Sequence, residues 1–205
     1  MPPSLQRRLQ ELRNAIGLPC FRRQELLEIA LNHPENAQTQ AESLEHVGLA
    51  YVGSEVLSVL VENYLETQCQ AWSNPTLTVL KSDLISAANL ANCLRLIWPD
   101  VTQYLGESYG WKHPFNQNKI LAQVFEAIIG AVYLEFDREI ERTQDWLVEC
   151  FLKTAVQELL METLFNPELN PGCTASQNSD WTKLSKIVNP FGSVFRLKLK
   201  PTLLA

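Results

Sequence analysis

The sequence predicts an all-helical domain, on three observations. Apolar residues recur at spacings of three and four through most of the first 165 residues. Proline and glycine divide that recurrence into helix-sized segments, and alternation with a period of two occurs only near the C-terminus. Residues 4–16 form a first short helix on Leu5, Leu9, Leu12 and Ile16, stopped by Gly17-Leu18-Pro19. Residues 23–32 repeat the pattern before His33-Pro34, and the polar stretch 35–41 is a loop. A long helix follows from Glu42 to about Glu66, with Leu44, Val47, Tyr51, Leu57, Leu60, Val61 and Tyr64 as its apolar stripe. Pro75 opens one further helix, whose period is kept by Leu77, Leu80, Leu84, Ala87, Ala88 and Ala91 up to Trp98-Pro99. After a loop at 106–114, Ile120, Leu121, Val124, Phe125, Ile128, Ile129, Val132 and Tyr133 recur in adjacent pairs, so that this helix must be packed on nearly two sides. A last helix spans Ile140 to Phe165. Residues 166–180, rich in Asn, Pro, Ser and Gly, read as a linker. In the basic extension 181–205, Phe195, Leu197 and Leu199 alternate with Arg196, Lys198 and Lys200 beyond the turn signal at 189–192, which predicts a terminal hairpin.

A chain of 205 residues with 46% hydrophobic and 20% charged residues has room for one core and is neither disordered nor collagen-like in composition. No apolar run approaches the ~20 residues that span a bilayer, and the opening Met-Pro-Pro-Ser-Leu-Gln-Arg-Arg lacks the apolar core of a secretory signal. The expectation is a soluble, cytoplasmic protein without a membrane partner. Five cysteines, Cys20, Cys69, Cys93, Cys150 and Cys173, are far apart and contain no Cys-x-x-Cys pair, so reduced, partly buried thiols are expected rather than zinc or disulfides. The net charge is −6, unevenly placed. Residues 181–205 carry Lys183, Lys186, Arg196, Lys198 and Lys200 and no acid, leaving 12 basic and 23 acidic residues on the remainder.

Two acids stand in apolar surroundings. Glu126 lies inside Val-Phe-Glu-Ala-Ile-Ile-Gly-Ala-Val-Tyr-Leu, and Glu45 lies between Leu44 and Val47. A carboxylate kept near a core needs a cation, a donor or a proton. Gly48 and Gly130 each cost their helix about 1 kcal/mol relative to alanine, which suggests that the two helices approach closely there.

Four segments in order resemble the ribonuclease III family. They are Leu-Leu-Glu-Ile-Ala-Leu-Asn-His-Pro at 26–34, Glu-Ser-Leu-Glu-His-Val-Gly-Leu at 42–49, Leu-Thr-Val-Leu-Lys-Ser-Asp-Leu-Ile-Ser at 77–86, and Ile-Leu-Ala-Gln-Val-Phe-Glu-Ala-Ile-Ile-Gly-Ala-Val-Tyr-Leu at 120–134. The second resembles the family signature Glu-Arg-Leu-Glu-Phe-Leu-Gly-Asp, and the fourth its Asp-x-x-Glu-Ala helix. The resemblance implies a ribonuclease III-like helical bundle over residues 1–165. It also implies two magnesium ions held by four carboxylates, paired at helical spacings of four and three so that each pair shares a face. Glu45 and Glu126 match that cage, whereas Leu49 and Gln123 stand where the family has aspartates.

Leucine offers no oxygen and glutamine only a neutral carbonyl, so magnesium or manganese is expected to bind weakly or not at all, with catalysis impaired. One weak ion could remain on Glu42, Glu45, Glu126 and the Gln123 carbonyl; otherwise Glu42 pairs with an arginine or meets solvent. The resemblance further implies a homodimer through the signature helix; a heterodimer with an intact paralogue belongs to the alternative of an active enzyme. His46 stands at the position of the family's interface phenylalanine and, like His33, is read as a structural residue. Residues 166–205 are too short for a double-stranded-RNA-binding domain and do not look like one. Lys183, Lys186, Arg196, Lys198 and Lys200 of the extension either contact RNA phosphates or charge an edge strand against aggregation. Three functions follow from these readings: a scaffold for double-stranded or structured RNA in RNA processing, a slow double-strand-specific endoribonuclease, or a protein-binding module with an acidic cleft.

Overall fold

Two long helices that touch backbone to backbone organise the chain. The computed structural model describes residues 5–34, 37–68, 74–102, 105 and 114–156, all within the unit Met1–Leu159. Its helices are α1 (Leu5–Ala15), α2 (Gln24–Leu31), α3 (Gln40–Gln68), α4 (Asn74–Leu84), α5 (Ala87–Ile97), α6 (Pro114–Glu135) and α7 (Ile140–Leu147), the last continuing through a π-helical turn, Val148–Leu152. There is no strand among the described residues. The linker and the basic extension with its hairpin lie outside them.

The centre is α6. Ile120, Leu121, Ala122, Val124, Phe125 and the run Ala127–Val132 are buried against α3, α5 and α2, which accounts for the doubled apolar period of this segment. Its most extensive contact, with α3, is made through glycine. A Cβ built on Gly53 would lie 1.7 Å from the Glu126 carbonyl oxygen, and one on Gly130 would lie 2.3 Å from the Leu49 carbonyl oxygen. The expected close approach is thus real at Gly130, but its counterpart is Gly53. Gly48 faces open space, with nothing within 4 Å of its would-be Cβ.

Two further expectations are corrected. The helix expected over 75–97 is two helices. Ser86 leaves the helical region (φ −64°, ψ 146°) and its hydroxyl accepts from the Asn89 amide at 3.3 Å, capping α5, while Asn89 Nδ2 donates to the Leu84 carbonyl at the end of α4. The apolar period runs unbroken across this joint and conceals it. The stripe of α3 also divides. Leu57, Leu60, Val61 and Tyr64 are buried, but Leu44, Val47 and Tyr51 are 63, 50 and 66% exposed, because the inner face of the first half is His46, Leu49, Ala50 and Gly53. By length and composition α3 could cross a membrane; its buried residues, which pack on α6, mark it as the bundle's core helix.

The ends of α6 and α7 are fixed by polar contacts. The buried Glu135 carboxylate accepts from the backbone amides of Arg22 and Arg23, each at 3.0 Å, and from Arg22 Nε at 3.1 Å. Burial alone would raise its pKa, but these donors hold it below the usual carboxylate range. Trp146 Nε1 and Cys150 Sγ both donate to the Ile16 carbonyl just past α1, at 2.8 and 3.3 Å. Burial and the nearby Glu149 push the Cys150 thiol up to about 11, so it remains a donor.

Candidate functional site

The acids of α3 are positioned from its first turn. Thr39 Oγ1 accepts from the Glu42 amide at 3.2 Å, and the Glu42 carboxylate accepts from the Gln38 amide at 3.0 Å and from Asn32 Nδ2 at 3.3 Å. The Thr39 hydroxyl caps an amide that helix geometry leaves without a partner, and the glutamate three residues later ties back to the residue before that cap. Glu42 therefore serves the helix start and the α2–α3 connection. Among the described residues no arginine pairs with it.

One turn further on, Glu45 is exposed, and the next turn brings Leu49 to the crossing. Leu49 is 6% exposed, and its Cδ1 would be 3.2 Å from a Cβ at Gly130. An apolar side chain thus covers the glycine of α6 at the position where the family has an aspartate. On α6, Gln123 and Glu126 are three residues apart and share a helix face, both half-buried. Among the described residues, neither the Glu45 nor the Glu126 carboxylate has a hydrogen-bond or ion-pair partner. Burial pushes the pKa of Glu126 upward.

The Gln123 carbonyl already has a partner. Its Oε1 accepts from His33 Nε2 at 2.8 Å, joining the α2–α3 connection to the middle of α6. His33 in turn meets the His46 ring edge-on, with centroids 5.1 Å apart. His46 is 1% exposed, donates from Nδ1 to the Ile29 carbonyl at 3.0 Å, and has a buried Nε2 with no partner among the described residues. Burial lowers its pKa to about 4, with the His33 charge acting in the same direction and the Ile29 carbonyl opposing, so the ring is neutral near pH 7.

The structure thus brings Leu49 and Glu126 to the crossing, ties Gln123 to His33, and assigns Glu42 elsewhere. No group of three or more His, Cys, Asp or Glu side chains among the described residues is arranged to hold a metal ion. Lys183, Lys186, Arg196, Lys198 and Lys200 lie outside the described residues. Sequence reasoning missed the His33–Gln123 bond, which joins residues 90 positions apart; the only local signal was an imidazole just before Pro34. It also missed that Leu44, Val47 and Tyr51, with Val59, form an exposed apolar face of α3.

Comparison with known proteins places these features. The family model described as Ribonuclease III domain matches residues 47–137. Ribonuclease 3 of Chloroflexus aggregans is 32% identical over 158 residues, 74% of this chain and 66% of that protein. Ribonuclease 3 of Campylobacter concisus is 28% identical over 169 residues, 76% of this chain and 74% of that protein. The match with Ribonuclease 3 of Pelotomaculum thermopropionicum, 31% identical, spans 56% of its length, so the chain accounts for roughly half to three quarters of these relatives. Among solved structures, a nuclease domain of ribonuclease III from Campylobacter jejuni, described for structural flexibility in the region involved in dimer formation, superposes with a TM-score of 0.57 at 22% identity. That superposition covers 69% of this chain and 94% of the other, and at that identity it speaks for the fold alone.

Proposed function

The chain carries a ribonuclease III domain and belongs to that family, and on this premise we propose that it binds double-stranded or structured RNA in RNA processing while cleaving it poorly. The observation that carries this reading is the fate of two of the four acid positions. Leu49 is buried on Gly130, and the Gln123 carbonyl is bonded to His33. Among the described residues, Glu45 and Glu126 keep carboxylates without a partner at the family's positions. Two magnesium or manganese ions, which elsewhere in the family would generate the nucleophile and stabilise the leaving oxygen, require more anionic oxygen than this pair offers. The residues present do not fit a two-ion cage, so cleavage through one is not part of the proposal.

The exposed face Leu44, Val47, Tyr51 and Val59 supports a homodimer through α3, since apolar residues at helical spacing normally find a cover. Lys183, Lys186, Arg196, Lys198 and Lys200 are proposed to contact phosphates, and the cytoplasm is the proposed compartment. A second reading, a slow endoribonuclease, is favoured by the unpaired state of Glu45 and Glu126, which leaves both available to a single ion.

Cleavage of a labelled RNA duplex by the purified chain, with magnesium or manganese and beside a Glu45→Ala/Glu126→Ala double variant, separates the two. No cleavage above the double variant, together with salt-sensitive duplex retention in a gel shift, is the expected result. Cleavage that the double variant loses establishes the slow enzyme instead. Absence of duplex binding at low salt overturns the RNA reading altogether.

A further inference from the structure

The cluster His46–His33–Gln123 joins three parts of the bundle at the place where the family pattern calls for an ion. His46 sits in α3 and is tied to the last turn of α2 through the Ile29 carbonyl. His33 sits in the α2–α3 connection, stacks edge-on with His46 and bonds to Gln123 in α6. Both rings are at least nine-tenths buried, at 5 and 1% exposure. An ion bridging α3 and α6 would link these helices through charged oxygens. A ring N–H and an amide carbonyl link the α2–α3 connection to α6 without a carboxylate, and such a hydrogen-bonded pair suffers far less desolvation than a carboxylate cage lacking its metal.

We propose that the His46–His33–Gln123 array is a metal-independent brace that holds the α2–α3 connection against α6, so that the folded domain neither needs nor is stabilised by a divalent ion. The inference rests on the reading of Leu49 and Gln123 as substitutions of a metal cage. It goes beyond that reading by assigning Gln123 and His33 a positive role. The brace also places a mechanical requirement on Gln123: it must present an acceptor to His33 Nε2, which an isosteric methionine does not do. Leu49 contributes by filling the space over Gly130 with carbon, where a carboxylate lacking an ion would be stranded.

The test uses the full chain without RNA, so that its failure is distinct from failure of the RNA reading. Thermal unfolding is followed in EDTA and in millimolar magnesium or manganese chloride, for the wild type, Gln123→Met and Glu126→Gln. Ring nitrogen shifts of His33 and His46 are read by NMR near pH 7. Expected are a wild-type Tm unchanged by either metal and a Nε2-protonated His33 beside a Nδ1-protonated His46. A Gln123→Met Tm lower by roughly 2–10 °C, equally in EDTA and in metal, is expected from one lost buried partner. A wild-type Tm that rises with manganese and ceases to do so in Glu126→Gln overturns the proposal. So does a Gln123→Met variant with an unchanged Tm and an unchanged His33 tautomer. The wild-type metal titration and ring shifts decide the matter even if the variant fails to fold.

Discussion

Two glycines five residues apart on α3 are predicted to respond to the same substitution with opposite signs. At Gly53 an added methyl group would lie 1.7 Å from the Glu126 carbonyl oxygen, 2.7 Å from its carbon and 2.8 Å from the Gly130 amide nitrogen. Ordinary van der Waals contact begins at 3.4 Å, so α3 and α6 must separate by about 1.7 Å, against backbone that has no rotamer with which to yield. Overpacking a tight core costs about 1–3 kcal/mol, and this case is at or above the upper end because a whole helix must move. The gain of about 1 kcal/mol in helix propensity is too small to offset it. At Gly48 the methyl meets nothing within 4 Å, and only the propensity gain remains. Gly53→Ala is therefore expected to lose 2 kcal/mol or more, about 4–8 °C in Tm, and Gly48→Ala to gain up to about 1 kcal/mol. Urea denaturation of both variants gives the two values. It is run at several protein concentrations because Gly48 borders the exposed face assigned to self-association. A neutral Gly53→Ala, or a Gly48→Ala that destabilises at every concentration, would refute the close crossing as the reason for glycine at 53.

Three further outcomes follow from single groups. His46, pushed down to about 4 in the fold and near 6.5 when unfolded, contributes fully above pH 6.5 and loses its contribution as pH falls toward 4, at about 1.4 kcal/mol per pH unit. Denaturation at pH 5 should thus show about 2 kcal/mol less stability than at pH 7, and His46→Phe should flatten that slope; an equally steep slope in the variant would assign it to other groups. Glu126 has the opposite sign, since a carboxyl raised by burial weakens the fold when ionised. Glu126→Gln should therefore stabilise the chain at pH 7, with the gain shrinking as acid protonates the wild type, and a destabilised variant at pH 7 would contradict this. Ser86→Ala removes the cap of α5 and should cost about 1 kcal/mol by urea denaturation, whereas a cost near zero would mean that Asn89 alone closes the α4–α5 joint.

How far the fold could be read from the sequence depended on the range of the interaction concerned. Helices α1, α2 and α3 begin and end within two residues of where apolar period and punctuation place them, because those signals lie inside the helix itself. The Ser86 joint was hidden by a period that happens to continue across it. Glycine composition announced a close helix approach, but choosing Gly53 over Gly48 requires knowing which face of α3 meets α6, and that is set by α6. For the site, the positions of Glu45, Leu49, Gln123 and Glu126 were accessible through resemblance. The commitment of Gln123 to His33 depends on side chains meeting across the fold, for which no local pattern exists, whereas Thr39-x-x-Glu42 is a local helix-start signal that the sequence reading passed over. Period likewise identified Leu44, Val47 and Tyr51 as an apolar face, but said nothing of what covers it.

The single carbonyl shared by Trp146 and Cys150 has a consequence for how the chain comes together. Ile16 waits 130 and 134 residues for these two donors, so the contact closes one of the longest loops in the described domain. Loop closure of that length is entropically unfavourable until the intervening helices have packed, and long-range contacts of this kind slow folding. During synthesis α1 has left the ribosome well before its latch exists. Until then its first turns lack this tie, and α1 is expected to become protected from hydrogen exchange late, although it is made before the helices that bind it.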